Sequence, residues 1–156
     1  MKLVVAVVGS PGHPDVAAAI ADYESRTRHY FDLEVVEIPA GAGSLPAAER
    51  MEREAEALRR RVPVDVERFV LTRRGKSLTS AGLARYLGDR SAHGAAGAAF
   101  IVGGSFGLAP SYVVEADHRL ALSAMTLTHG LARLVLVEQL YRAGTILRGE
   151  PYHKGG

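Results

Sequence analysis

Short apolar runs alternate with amphipathic stretches along this chain. Lys2 to Val8, K-L-V-V-A-V-V, has no polar position after its lysine, the pattern of a strand buried on both faces. Gly9-Ser10-Pro11-Gly12 ends it. Val16, Ala19, Ile20 and Tyr23 recur at helical spacing and predict a helix from Asp15 to about Thr27. Leu33 to Ile38 reads as a second strand, closed by Pro39. A glycine-rich loop over Ala40–Leu45 follows, with Ser44 as a possible cap and Pro46 suited to a first turn. The next helix runs to Arg61 as a surface element, with Met51, Ala55 and Leu58 on one stripe. Val66 to Leu71 is the third strand, and Ser77 to Leu87 a short helix ending near Gly88. Ala98 to Val102 is a fourth strand that breaks into glycines, and Leu120 to Ser123 a fifth. Thr128 caps a last helix from near His129 to about Leu147. Strands that alternate with helices predict an α/β fold, a mostly parallel sheet with helices on both faces.

The last helix has an unusual pattern. Leu131, Leu134, Val135, Leu136, Val137, Leu140, Tyr141, Ile146 and Leu147 point in most directions around its axis. Such a helix has to bury one face on the sheet and another on something else. A second copy of the chain is the simplest partner. His129 and Arg133 are four residues apart and share one face, while Glu138 and Arg142 share the opposite one. His129 reads equally well as a capping or core-edge histidine. Arg133, a guanidinium among apolar neighbours, demands an anionic or hydrogen-bonding partner.

Ligands of parallel α/β folds sit at the carboxyl ends of strands. Here those ends are Val8-Gly9, Leu71-Thr72, Val102-Gly103 and Leu122-Ser123. The paired Gly103-Gly104 lets backbone approach a ligand closely, and the loop Leu122-Ser123-Ala124-Met125-Thr126-Leu127 lies at a neighbouring strand end. Together they predict a cofactor pocket, with Tyr152, His153 and Lys154 of the tail supplying substrate contacts. Other chemistries fail on spacing. Gly75-Lys76-Ser77 resembles the end of a phosphate-binding loop, but the pattern needs glycine where Val70 stands. The Gly103–Gly107 turn lacks dinucleotide-loop spacing, and no serine is read as the nucleophile of a strand-to-helix elbow. The histidines at 13, 29, 93, 118, 129 and 153 form no ligand pair, so no metal is expected.

Composition adds bounds. The 156 residues suit one domain spanning 1–156, and 47% apolar with 23% charged residues is ordinary for a globular chain. Without cysteine there is no disulfide and no thiol nucleophile. No apolar run reaches membrane length and no cleavage site follows Val8, so no membrane association and a cytoplasmic location are expected. A net charge of +2 does not by itself argue for nucleic acid. Arg59-Arg60-Arg61 and Arg73-Arg74 with Lys76 read first as solvated faces.

The runs I-V-G-G-S-F-G-L, L-S-A-M-T-L-T-H, R-L-V-L-V-E-Q-L-Y-R-A and the terminal P-Y-H-K, with the opening K-L-V-V-A-V-V-G and the E-I-P-A after the second strand, carry a resemblance. In order and spacing they resemble the ribosomal RNA large subunit methyltransferase H family, of the SPOUT class, over the whole chain. The resemblance implies S-adenosylmethionine-dependent methylation of N3 of a pseudouridine in 23S ribosomal RNA, on the assembled ribosome, by a homodimer. It also implies a deep trefoil knot at the carboxyl end. It places the donor against Leu71, Gly103, Gly104 and Leu122 to Leu127, and gives His129, Arg133, Tyr152 and His153 to substrate handling and catalysis. His129 or His153 is then the candidate base, and Arg133 the stabiliser of charge on a ring carbonyl. The chain departs from the family pattern at Ser105-Phe106, Gly130 and Thr72-Arg73. The competing readings are a SPOUT enzyme acting on another RNA, such as transfer RNA, and a non-enzymatic ribosome-binding factor.

Overall fold

Alternation within β1 (Lys2–Val8) builds two cores at once. Leu3, Val5 and Val7 point to one face of the sheet and Val4, Ala6 and Val8 to the other. The computed structural model describes residues 1–155. After β1 come α1 (Pro14–Thr27), β2 (Asp32–Ile38), α2 (Ala47–Arg61), β3 (Glu67–Ser77), α3 (Ser80–Ala92), β4 (Gly97–Val102), α4 (Pro110–Glu115), β5 (His118–Ala121) and α5 (His129–Leu147). A 3₁₀ turn, Pro151–Gly155, closes the described chain. The five strands form one sheet in the order β2-β1-β4-β3-β5, and every pairing is parallel. The first core is filled by Leu83 and Leu87 of α3 and by Leu136, Val137, Leu140 and Ala143 of α5. The second is filled by Ala55 and Leu58 of α2 and Tyr112 of α4. The fold is therefore the expected α/β layering, with all strands parallel.

Several boundaries differ from the sequence reading. β3 does not stop at Leu71 but continues through Thr72, Arg73, Arg74 and Gly75 to Ser77, so Ser77 is strand rather than helix. Helix α3 starts three residues later because the Thr79 side chain accepts the Gly82 amide and caps it. It runs past Gly88, which faces the Leu147 side chain of α5. Pro46, not Ser44, is the cap residue of α2, and β5 ends at Ala121, two residues short of Ser123. Helix α4 and the terminal 3₁₀ turn had no expectation. His13 caps α1, its Nδ1 accepting the Asp15 amide.

Much of α5 is covered within its own chain. Its flanks pack on α1 and α3 of the same chain, so most of its apolar circumference is satisfied internally. What remains in water is Leu131, Val135 and Leu147. Thr27 of α1 donates to the Val137 carbonyl at 3.3 Å and to the Tyr23 carbonyl at 2.7 Å, fixing the two helices against each other.

Candidate functional site

At the carboxyl edge of the sheet, β3 and β5 meet in an irregular pairing. Leu120 is the partner of both Leu71 and Lys76, so Thr72–Gly75 swings out around β5 and returns. Gly75 permits this. A Cβ there would lie 2.6 Å from the backbone of Arg119 and Leu120. The excursion forms one wall of a shallow depression of about 100 Å³. Leu71, Thr72 and Arg73 line that wall, Leu122, Ser123, Met125 and Leu127 the other, and Ala132 of α5 the floor. Ser123 shapes the second wall by accepting the Met125 amide at 2.9 Å. Thr128 then accepts the Leu131 amide and starts α5.

Of the residues expected to hold a donor, Leu71, Leu122, Ser123, Met125 and Leu127 line this depression. Ala124 and Thr126 belong to the same loop but are exposed rather than lining. Gly103 and Gly104 lie at the end of the adjacent strand β4 and do not line it either. Their turn is tight. Gly107 donates to the Gly104 carbonyl at 3.0 Å with φ +80, and a Cβ on Gly103 would meet the Gly107 carbonyl carbon at 2.7 Å. Thr72 and Arg73, noted only as a strand end and a departure from the family pattern, also line the depression, and Ala132 was missed. The first two directly follow Leu71 at a strand end already marked, and that was the available signal.

Gly103-Gly104-Ser105-Phe106-Gly107 does spell G-x-S-x-G, although the sequence reading found no nucleophile elbow. The geometry is not that of an elbow. Among the described residues no non-glycine residue has positive φ and Ser105 makes no side-chain hydrogen bond. No group of histidines and carboxylates among the described residues is arranged to hold a metal.

The four residues given to substrate handling fall in three places. His129 stands over the end of β1, with Nε2 2.6 Å from the Ser10 carbonyl. A carbonyl only accepts, so Nε2 carries the proton, and in the neutral ring Nδ1 is the nitrogen free to take one. Arg133 is 5% exposed. Its Nε and Nη2 donate to Glu24 at 3.0 and 2.7 Å, and Nη1 donates to Glu37 at 2.9 Å. The anionic partner that the sequence demanded is thus internal, and three of the five guanidinium protons are engaged.

Tyr152 lies against α5 of its own chain. Its hydroxyl donates to Glu138 at 3.0 Å and is 3.2 Å from the Tyr23 hydroxyl. Its ring packs edge-on to Tyr141 and under the Arg142 guanidinium. Burial, then the contacts with Tyr23 and Glu138, push the Tyr152 phenol well above its usual range. It stays protonated at neutral pH and is a donor, not a base. His153 follows, with Nδ1 buried and unpartnered. Glu138 is nine residues after His129, roughly 13 Å along the helix axis, so one chain does not bring Tyr152 to His129.

A family profile described as "Predicted SPOUT methyltransferase" matches residues 1–153. The chain is 44% identical over 155 residues to ribosomal RNA large subunit methyltransferase H of Gemmatimonas aurantiaca, covering 99% of this chain and 100% of the relative. It is 39% identical to the protein of the same name from Pelobacter propionicus, covering 98% and 99% of the two chains. Among solved structures, one from Neisseria gonorrhoeae assigned to a methylase family aligns with TM-score 0.53 at 13% identity, over 90% of this chain and 80% of that one. At that identity it speaks to the fold alone.

Proposed function

This chain belongs to the SPOUT methyltransferase family, and from that premise we propose that it moves the methyl group of S-adenosylmethionine to N3 of a pseudouridine in 23S ribosomal RNA. It does so on the assembled ribosome, in the cytoplasm, as a homodimer of single-domain subunits. The observation that carries the reading is the full-length similarity to methyltransferases named for the large-subunit ribosomal RNA. The depression between β3 and β5 supports the donor. Leu71, Leu122 and Leu127 offer apolar surface to an adenine, and the backbone of residues 122–127 offers polar groups at its rim. When bound, the donor supplies an electrophilic methyl carbon on a sulfonium.

The dimer is supported by what one chain lacks. Pockets that enclose a ligand of this size measure roughly 300–1,000 Å³, and this depression holds about 100 Å³. A second copy seated on the exposed Leu131 and Val135 would roof it and bring its own tail toward the first chain's donor site. The trefoil knot is carried over from the family to which the chain belongs. No helix among the described residues is long and apolar enough to cross a membrane.

In the transfer, the N3 lone pair forms the new nitrogen–carbon bond and the sulfur–carbon bond breaks, its electrons staying on sulfur. The imide proton of N3 leaves to a base. Alignment of nitrogen, carbon and sulfur contributes about 7–11 kcal/mol. His129 offers Nδ1 as that base, and His153 of a partner's tail is the other candidate. Arg133, held by Glu24 and Glu37, positions α5 and His129 rather than touching substrate. Loss of the true base should cost about 100- to 10,000-fold in turnover. His129→Ala and His153→Ala, assayed on ribosomes, identify it. Full activity in both variants removes both histidines from the role.

Arg73, Arg74, Lys76 and Arg119 are exposed around the depression, and none has a carboxylate within ion-pair reach among the described residues. That arrangement suits a phosphate backbone. Binding to a fluorescent single-stranded fragment of 23S RNA should weaken with salt, and the double variant Arg73→Gln/Arg74→Gln should flatten the log–log slope by about 0.7 per side chain. An unchanged slope moves the RNA off this face. For the whole reading, wild-type protein with radiolabelled donor should methylate ribosomes and not bulk transfer RNA. The reverse result favours another RNA. No heat on mixing with S-adenosylmethionine favours a ribosome-binding factor without catalysis.

A further inference from the structure

Phe106 stands where folding does not call for an aromatic. It occupies the tip of the Gly103–Leu108 turn, and its ring is 56% exposed. The turn closes through Gly104 and Gly107, so a polar residue at its tip would serve the fold as well. One face of the ring is taken. The Arg50 guanidinium of α2 sits over it, 5.0 Å from the centroid. The Arg50 side chain makes no hydrogen bond or ion pair among the described residues, and its Nε is shut away from water without a partner. This pair, an open aromatic face backed by an uncompensated cation, matches the two chemistries of a nucleotide. A base stacks on the ring and a phosphate meets the guanidinium.

Its position is as specific as its chemistry. β4 lies between β1 and β3. The register pairs Ile101 with Val70, which sets Gly103 beside Thr72, a wall of the donor depression. On the other side is the end of β1, where His129 meets Ser10. The turn bearing Phe106 therefore leaves the sheet at the same carboxyl edge as the donor wall and the candidate base, and packs on its α2 side.

We infer that Phe106, backed by Arg50, is a stacking platform for an unpaired base of the RNA substrate that passes over the carboxyl edge of the sheet. The inference rests on the RNA methyltransferase reading above. Single-stranded RNA is held in this way because splayed bases stack on exposed aromatic rings. The platform contributes to RNA affinity and leaves the donor alone.

The test compares Phe106→Ala and Phe106→Trp with wild type in methyl transfer to unmodified ribosomes, and in S-adenosylmethionine binding by calorimetry. Phe106→Ala should raise the KM for ribosomes roughly 5- to 150-fold, with kcat less affected and donor affinity unchanged. Phe106→Trp, with a larger stacking face, should keep wild-type KM. The inference is overturned if Phe106→Ala leaves KM unchanged, if donor affinity falls in step with it, or if Phe106→Trp is as impaired as alanine. A wild-type protein that methylates no ribosomes overturns the functional reading and this inference together, whereas an active wild type with an unchanged KM in Phe106→Ala overturns the inference alone.

Discussion

Arg133→Ala should destabilise the protein by about 3–5 kcal/mol, the usual cost of breaking a buried ion pair from one side. The substitution also removes the packing of a buried methylene stem. Its main effect is to leave Glu24, itself only 7% exposed, as an unpaired carboxylate between α1 and α5. Glu37 matters less, because its side chain is 59% exposed and water replaces the lost partner. The prediction therefore has a second arm. Arg133→Met combined with Glu24→Leu removes both charges and should recover at least half of the loss, since a buried pair replaced by apolar groups is often neutral. Urea unfolding at one protein concentration, run as a double-mutant cycle, measures both. A single variant within 1 kcal/mol of wild type would mean that Glu24 finds solvent or another donor, and the pair would not be what anchors α5.

Gly75→Ala should damage activity more than it damages stability. The added carbon would lie 2.6 Å from the carbonyl carbons of Arg119 and Leu120 and from the Leu120 nitrogen. These are backbone atoms in a paired strand, so no side-chain rotation relieves the overlap and β5 has to move. The stability cost is about 1–3 kcal/mol, as for other overpacked sites. The functional cost is larger. β5 leads directly into Leu122 and Ser123, and β3 carries Leu71, Thr72 and Arg73, so moving one strand past the other shifts the two walls of the depression, the proposed donor site, apart. A displacement of about 1 Å in a reacting geometry costs on the order of 100-fold in rate. Gly43→Ala is the control, because nothing lies within 4 Å of a Cβ there and its φ is ordinary. Methyl transfer and thermal melting of the two variants, measured together, decide the matter. A Gly75→Ala protein that melts and turns over like wild type would show that the pairing of β3 and β5 yields freely.

These two residues mark the limits of what the chain discloses unaided. Periodicity carried β1, β2, α1 and α5, because each has a long unbroken pattern. It also demanded an anion for Arg133. It could not name Glu24, which is 109 residues away and becomes a neighbour only when α1 packs on α5. The second half of β3 was illegible for a different reason. Arg73-Arg74-Gly75-Lys76 has the polarity of a loop, and only pairing with β5 makes strand of its end. That a loop follows β5 at the carboxyl edge was readable, yet which of its side chains line the depression depends on the Ser123 turn. Helix α4 is too short for periodicity to register. The tail's docking on Glu138 and Tyr141 is a tertiary event with no local signal.

The strand order also governs how the molecule is made. Two of the four sheet pairings, β1 with β2 and β3 with β4, join consecutive strands; β1 with β4 and β3 with β5 skip over strands. β4 occupies the centre, so the edges of β1 and β3 stay unsatisfied until residues 97–102 have left the synthesis machinery. Non-local parallel pairing of this kind forms slowly, because loop closure precedes its reward. A nascent chain stopped short of Gly97 carries two bare apolar edges, the surface that chaperones recognise and aggregates grow from.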